Sequence, residues 1–487
     1  MSNITRRSLM AAASGLTVAA QQSGAKRPNV IFYFADQIRA NELGYNGGQN
    51  IATPNIDRLA SQGVRFTNAL STYPLCTPYR AMLQTGRWPS LSGGVMNWIN
   101  IPSTGQNVAD VFSRGGYDTS YIGKWHLAAG GRAGTLKRGD PPRKIAEAEF
   151  VPPGPARLGY QHWAAWNFHV SFRKPFYYRD TPERLFWPEY ETDAITTEAI
   201  RYIRGRDTGK PFFLMMAPHP PHPPWNLDHV PEGSLDRIPK NLHWRANTKG
   251  RRDGAQDPRC YFAMLQNVDE NVGRLTKFLD DSGLADNTIL VFTSDHGEMM
   301  ASQGRYDKMV PYCEALNVPM IVRWPGRIQP DRKSDALFTP IDHFPSLASM
   351  CGLQAPSIVS GKDLSEQILH GRGRDPEDAL LMNMTSHWDF PETMTQWPEW
   401  RGIRTKQHTY VRWLNGAEEL YDNQADPLQF RNLYDGRKAP PLMEHLRARL
   451  NDSLKEAHDS FPPGTEYATW FNLDRNLIRN ALGPIPG

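Results

Sequence analysis

The segment Asn29 to Ala35 reads NVIFYFA, an apolar run of strand length whose only polar side chain is the first. A strand without polar alternation must be covered on both faces, the condition of a central strand in a parallel sheet. Helical and strand-like segments then alternate along the chain. Asn55 to Gln62 reads as a helix entered from Thr53-Pro54, Val64 to Leu70 as a strand, and Pro78 to Thr85 as a short helix stopped by Gly86. Ser120 to Gly123, Pro211 to Ala217 and Thr288 to Thr293 are further short strands. Between the last two, Arg259 to Leu284 repeats apolar residues at helical spacing through Phe262, Leu265, Val268, Val272, Leu275, Phe278 and Leu279. This alternation predicts an α/β fold with a mostly parallel central sheet flanked by helices. Chemistry in such folds collects at the carboxyl ends of the strands. The polar motifs fall there: Asp36-Gln37, Gly123-Lys124-Trp125-His126, His219 with His222, and Asp295-His296.

With 487 residues, 39% of them hydrophobic, the chain can bury a large core and is not a disordered segment. Its formal charge of +4 is spread without a long Lys/Arg run, which argues against nucleic acid as a partner. Near the N-terminus, Arg6-Arg7 precedes an apolar, small-residue run from Ala11 to Ala20. That layout predicts an export leader of twin-arginine type over residues 1–25, and a periplasmic or secreted protein. No later stretch approaches the ~18 consecutive apolar residues of a membrane span. The four cysteines, Cys76, Cys260, Cys313 and Cys351, lie far apart with no C-x-x-C pair, so they form neither a zinc framework nor a disulfide scaffold. The texture changes near His370-Gly371-Arg372-Gly373-Arg374, which divides a main α/β domain over 26–369 from a C-terminal subdomain over 370–487.

Cys76-Thr77-Pro78-Tyr79-Arg80 is an unusual neighbourhood for a packing cysteine, although burial is the common fate of a free thiol. Arg80 lies one helical turn after Cys76, close enough to orient a group at position 76 and offset its charge. A divalent cation needs converging hard oxygen donors, which Asp36, Gln37 and Asp295 can supply, and His296 adds a ring nitrogen. Singly, Asp36 also fits a helix cap and Asp295-His296-Gly297 a tight turn. Lys124 and His126 are two residues apart and can reach one site.

The pentad resembles C-x-P-x-R, the signature of type I, formylglycine-dependent sulfatases in the alkaline phosphatase superfamily. Ser71-Thr72-Tyr73-Pro74-Leu75 before it, and Ala81-Met82-Leu83-Gln84-Thr85-Gly86-Arg87 after it, are similar to that family's flanks. The resemblance runs from about Pro28 to Asp459 and implies an alkaline-phosphatase-like fold. Glu419-Leu420-Tyr421-Asp422, Asp426-Pro427 and Asn432-Leu433 are similar to a C-terminal segment in which a small antiparallel sheet and a helix close over one side of the site.

It further implies that a formylglycine-generating enzyme converts Cys76 to an aldehyde whose hydrate is the nucleophile. Asp36, Gln37, Asp295 and His296, with residue 76, would hold the metal. Calcium is the first choice, with manganese or zinc as alternatives raised by the nitrogen donor. Lys124 and Lys308 would bind sulfate, Arg80 and His126 would serve the hydrate, and His222, in Pro221-His222-Pro223-Pro224, would contact the ester oxygen. The implied reaction is hydrolysis of sulfate esters, of carbohydrates above all.

The family's common pairs are Asp-Asp and Asp-Asn, whereas this chain has Asp36-Gln37 and Asp295-His296. The glutamine variant occurs in choline sulfatases and phosphonate monoester hydrolases. A phosphodiesterase or phosphonate monoester hydrolase is therefore the rival reading, beside a non-catalytic sulfated-glycan binder with an unoxidised Cys76. His219 is expected to be accessory or structural. Trp163, Trp166, Trp225, Trp388, Trp397 and Trp400 fall in segments expected to frame the cleft and offer surfaces for sugar stacking. Arg132 to Glu191 is expected to form long loops near the site.

Overall fold

The computed structural model describes residues 26–128, 149–250, 256–387, 399–471 and 478–479; the expected leader, Trp388 and Trp397 lie outside them. An eight-stranded sheet forms the centre. Its strands are β1 (Asn29–Ala35), β2 (Val64–Ala69), β3 (Asp118–Lys124), β4 (His162–Trp166), β5 (Phe212–Ala217), β6 (Thr288–Ser294), β7 (Met320–Arg323) and β8 (Arg332–Phe338). Their order is β8-β2-β7-β6-β1-β5-β3-β4, and β7 alone runs antiparallel to its neighbours. The expected α/β architecture with a mostly parallel sheet is what the chain adopts.

The unbroken apolar run of β1 has the predicted cause. Phe32 and Phe34 join one core with Tyr79, Met82 and Phe112, while Ile31 and Tyr33 join another with Ile56, Leu59, Val268 and Leu275. Two-sided burial follows from the alternation of side chains along a strand. The helices that supply these layers include α1 (Pro54–Ser61), α2 (Cys76–Thr85), α3 (Glu191–Gly205) and α4 (Pro258–Asp281). Gly86 ends α2 in the left-handed region at φ 64° and donates its N–H to Met82 O. Gly123 is required where β3 meets β5, because a Cβ there would lie 2.3 Å from Ala217 O.

In the described part of Arg132 to Glu191 the expected long loops are interrupted by a strand, since β4 pairs with β3 as an edge of the central sheet. The run His-Trp-Ala-Ala-Trp shows no polar alternation because all but its first residue are buried. The four described tryptophans expected around the cleft fail as stacking platforms for the same reason: Trp163, Trp166, Trp225 and Trp400 are all buried. Each large ring gains more from leaving water than an empty platform would.

A second, four-stranded antiparallel sheet comprises β9 (Asp378–Asn383), β10 (Trp400–Thr405), β11 (His408–Trp413) and β12 (Glu418–Asp422), followed by α5 (Pro441–Glu456). Its Trp400 indole N–H donates to Met309 O at 2.9 Å, which ties this sheet to the segment carrying Lys308. Arg401 anchors the chain beyond α5. Its guanidinium is fully buried, bonds Asp459, and donates to the Tyr467 hydroxyl at 2.7 Å. Burial opposes the charge on Asp459, but Arg401 holds its carboxyl below the usual carboxylate range.

Asp459→Asn should therefore cost about 3–5 kcal/mol at neutral pH, because Arg401 is left buried without its counter-charge. The carboxylate titrates near ~3.9 in an unfolded chain and lower here, so its contribution is complete above about pH 5 and fades below about pH 4. Denaturation midpoints of both proteins should differ at pH 7 and converge under acid. A difference that is unchanged at low pH would contradict this assignment.

Candidate functional site

Four adjacent parallel strands, β6, β1, β5 and β3, end at one place and deliver Asp295, Asp36, His219 and Lys124 to it. The N-terminus of α2 supplies Cys76 as its first helical residue. The Asn97 side chain accepts from the Thr77 N–H at 2.9 Å, and Thr77 Oγ1 donates to His126 O at 2.6 Å. Gln37 and His126 are held in the left-handed region at φ 70° and 54°, a strain of about 1–3 kcal/mol each that the surrounding ladder must sustain.

Arg80 organises the charges. It donates to Asp36 Oδ2 at 3.0 Å, to Asp295 Oδ2 at 3.0 Å and to Lys124 O at 2.7 Å. Lys124 Nζ donates to the same Asp36 oxygen at 2.7 Å and lies 3.7 Å from Cys76 Sγ. Burial opposes ionisation of Asp36, yet Lys124, His222, His296 and Arg80 hold its carboxyl well below the usual range. Burial likewise opposes the Arg80 charge, and Asp295 and Asp36 more than restore it. The Cys76 thiol is pushed up to about 11 by burial and by Asp36, so it is protonated at neutral pH.

With both Oδ2 atoms engaged, the Oδ1 atoms of Asp36 and Asp295 each lie 3.6 Å from His296 Nε2. The Cys76 sulfur lies 3.2 Å from the same nitrogen. His296 Nδ1–H donates to Gly297 O at 3.0 Å, which leaves Nε2 bare. All four ligand atoms lie within 4.8 Å of one another. Donors ~2.3–2.6 Å from a common centre can be about 5 Å apart, so the set fits a divalent cation. Gln37 stands at the edge: its amide N–H₂ donates to Glu298 and its Oε1 accepts from Lys308 Nζ at 2.6 Å.

Two histidines and a lysine complete the wall. Lys308 Nζ is 3.4 Å from His222 Nε2, and His222 Nδ1–H donates to Pro223 O at 2.7 Å. Burial opposes the charge on Lys308, but its anionic surroundings raise it above the ordinary lysine value. Burial and Lys308 depress His222, and burial and Lys124 depress His126. Both ring nitrogens of His126 are buried without a protein partner.

A family model described as Sulfatase matches residues 28–353, and one described as N-sulphoglucosamine sulphohydrolase, C-terminal, matches residues 301–456. The chain belongs to the sulfatase family. An ulvan-active sulfatase of Formosa agariphila is 34% identical over 93% of this chain and 86% of its own. An endo-4-O-sulfatase of Bacteroides thetaiotaomicron is 31% identical over 89% of this chain and 93% of its own. A solved structure from the same species, described under its metabolism of multiple glycosaminoglycans, superposes with a TM-score of 0.78 at 29% identity, covering 90% of this chain and 98% of that one. The phosphonate monoester hydrolase of Agrobacterium radiobacter, at 22% identity, shares the alkaline-phosphatase-like fold with a TM-score of 0.71 over 88% of this chain and 96% of that one. As a sulfatase, the protein is a sulfuric ester hydrolase.

In this sulfatase the residues that the sequence offered for nucleophile, metal, sulfate and proton handling come together at one locus: Asp36, Gln37, Cys76, Arg80, Lys124, His126, His222, Asp295, His296 and Lys308. Three residues of the locus carried little signal. His219 Nε2 accepts from Lys124 Nζ at 3.0 Å while its Nδ1–H donates to His169 O at 2.7 Å, so it fixes the lysine. Glu298 orients the Gln37 amide and is itself anchored by the N–H groups of Met300 at 2.7 Å and Asp307 at 3.0 Å. Its place directly after Asp295-His296-Gly297 was the one hint in the sequence. Phe168 packs against His126, His219 and His222 and follows a strand that the sequence did not reveal.

The metal assignment makes a direct prediction. Loss of a ligand's outer partner typically weakens metal binding ~10–100-fold, and loss of the ligand should cost at least as much. Asp36→Asn and Asp295→Asn should therefore emerge with far less divalent metal by elemental analysis. Full occupancy in both folded variants would refute the site.

Proposed function

We propose that this sulfatase removes sulfate from sulfated carbohydrates. In this reading a formylglycine-generating enzyme oxidises Cys76, and Asp36, Gln37, Asp295, His296 and residue 76 hold a divalent cation, calcium first. The carrying observation is that three buried cations from separate elements close around position 76 and its neighbours: Lys124 lies 3.7 Å from Cys76 Sγ, Arg80 bonds Asp36 and Asp295, and Lys308 bonds Gln37. The names of the relatives, an ulvan-active sulfatase and an endo-4-O-sulfatase, support the carbohydrate class. Export by the twin-arginine route, with a main domain over 26–369 and a C-terminal subdomain over 370–487, belongs to the same reading. It is supported by Arg6-Arg7, the apolar run after it, and the separate sheet that begins at Asp378.

When bound, the cation polarises the sulfuryl oxygens, and the oxidised residue 76 supplies the attacking hydroxyl. The protein's own groups do the rest. Lys124 and Lys308 flank the sulfate and compensate its charge. His219 keeps Lys124 aimed by accepting its second hydrogen bond. Because His222 Nδ1–H is committed to Pro223 O, its Nε2 faces Lys308, the protonated member of the pair. His222, protonated from solvent when the anionic ester binds, gives the departing alkoxide its proton from Nε2, while Lys308 keeps its own proton and its charge on the sulfate. His126 is neutral and unpartnered, and takes a proton from residue 76. The position of Cys76 at the start of α2 adds the favourable end of the helix dipole to any negative charge there.

Oxidation of the thiol to an aldehyde removes about 18 Da from the Cys76 peptide. Active protein should show that mass, and active protein carrying only the thiol would refute the nucleophile. General-acid help is worth roughly 10²- to 10⁴-fold and matters most for a poor leaving group. His222→Ala should therefore lose far more activity on a sugar sulfate than on an activated aryl sulfate. Equal losses on the two would remove His222 from the proton path.

A further inference from the structure

Of the side chains given metal, sulfate or proton-handling work, only His222 is partly exposed; the others are at most 4% accessible. An ester lodged among Lys124 and Lys308 must therefore send its alcohol out past His222. Phe168 is also partly exposed, and stands at the same mouth. Its ring centre lies 4.8 Å from His126, 5.1 Å from His219 and 6.1 Å from His222, and Lys124 Nζ lies 4.8 Å from that centre. The buried Trp98 backs it edge-on at 4.8 Å, and the part of the ring that remains exposed is what a ligand can meet.

The ring is held in place by main-chain bonds. The β3–β4 ladder continues beyond the strands, with the Trp125 N–H donating to Trp166 O at 2.8 Å and the His126 N–H to Asn167 O at 2.9 Å. The Phe168 N–H itself donates to Glu149 Oε2. These bonds fix an aromatic face next to the two histidines that handle protons. A flat apolar surface beside an otherwise ionic pocket suits the carbon–hydrogen face of a saturated ring better than a flexible chain.

We propose that Phe168 is a specificity-determining residue, the wall on which the ring of a cyclic alcohol packs while His222 meets the ester oxygen. The inference rests on the sulfatase reading above. Its test compares kcat/KM for a pyranose monosulfate and for n-hexyl sulfate in wild type, Phe168→Leu and Phe168→Trp. An aromatic pairing contributes ~0.5–1.5 kcal/mol, so Phe168→Leu should lower the sugar-to-hexyl ratio by roughly two- to tenfold, chiefly through KM. Phe168→Trp should keep the ratio at or above the wild-type value. If Phe168→Leu fails to fold, as judged by its melting temperature, Phe168→Met takes its place, with the same lowered ratio expected. Equal proportional losses on both substrates would mean that Phe168 acts only by packing Lys124 and His126, and would overturn the proposal. A formylglycine-bearing wild type that hydrolyses neither ester would overturn the sulfatase reading and this inference with it. An active wild type whose ratio the non-aromatic variant leaves unchanged overturns the inference alone.

Discussion

The planar guanidinium of Arg80 holds together the ends of three strands. It reaches Asp36 after β1, Asp295 after β6 and the carbonyl of Lys124 at the end of β3, all away from water. A lysine in its place offers one ammonium and no fork, so it cannot satisfy both carboxylates and the carbonyl together. Because Arg80 takes the outer oxygens of both aspartates, their inner oxygens face His296 and position 76. The same contacts that neutralise buried charge therefore shape the cation site. Removing the arginine would leave two buried carboxylates short of a counter-charge, a change of the kind that costs about 3–5 kcal/mol.

A second constraint comes from outside the central sheet. Met300, Ala301, Gln303, Asp307 and Met309 all have positive φ, in the segment that carries Lys308. A segment so strained keeps its shape only where neighbours impose it. The Gln303 amide donates to Leu428 O at 2.7 Å and Gln429 O at 2.9 Å, while Trp400 in β10 donates to Met309 O. The C-terminal sheet thus contributes to the site indirectly, by setting the loop that places Lys308 against Gln37 and His222.

The features legible in the sequence were those with one local cause. An unbroken apolar run over Asn29 to Ala35 has few explanations besides a doubly covered strand. Arg80 was readable because its distance from Cys76 is set by one helical turn. The failures had long-range causes. β4 contains Trp-Ala-Ala-Trp, whose lack of alternation reflects packing on both faces that only the tertiary fold supplies. The described tryptophans expected around the cleft fill the core instead. The aromatic at the mouth is Phe168, placed there by a ladder continued from an unrecognised strand. His219 was ambiguous because its role depends on Lys124, 95 positions away in sequence.

The central claim is that the buried cluster around position 76 attacks the sulfur of a sulfate ester. It is tested most directly by hydrolysing a sugar sulfate in heavy-oxygen water and weighing both products. Attack at sulfur places the heavy oxygen in the released sulfate and leaves the sugar hydroxyl unlabelled. Label in the sugar hydroxyl, with unlabelled sulfate released, would contradict the account.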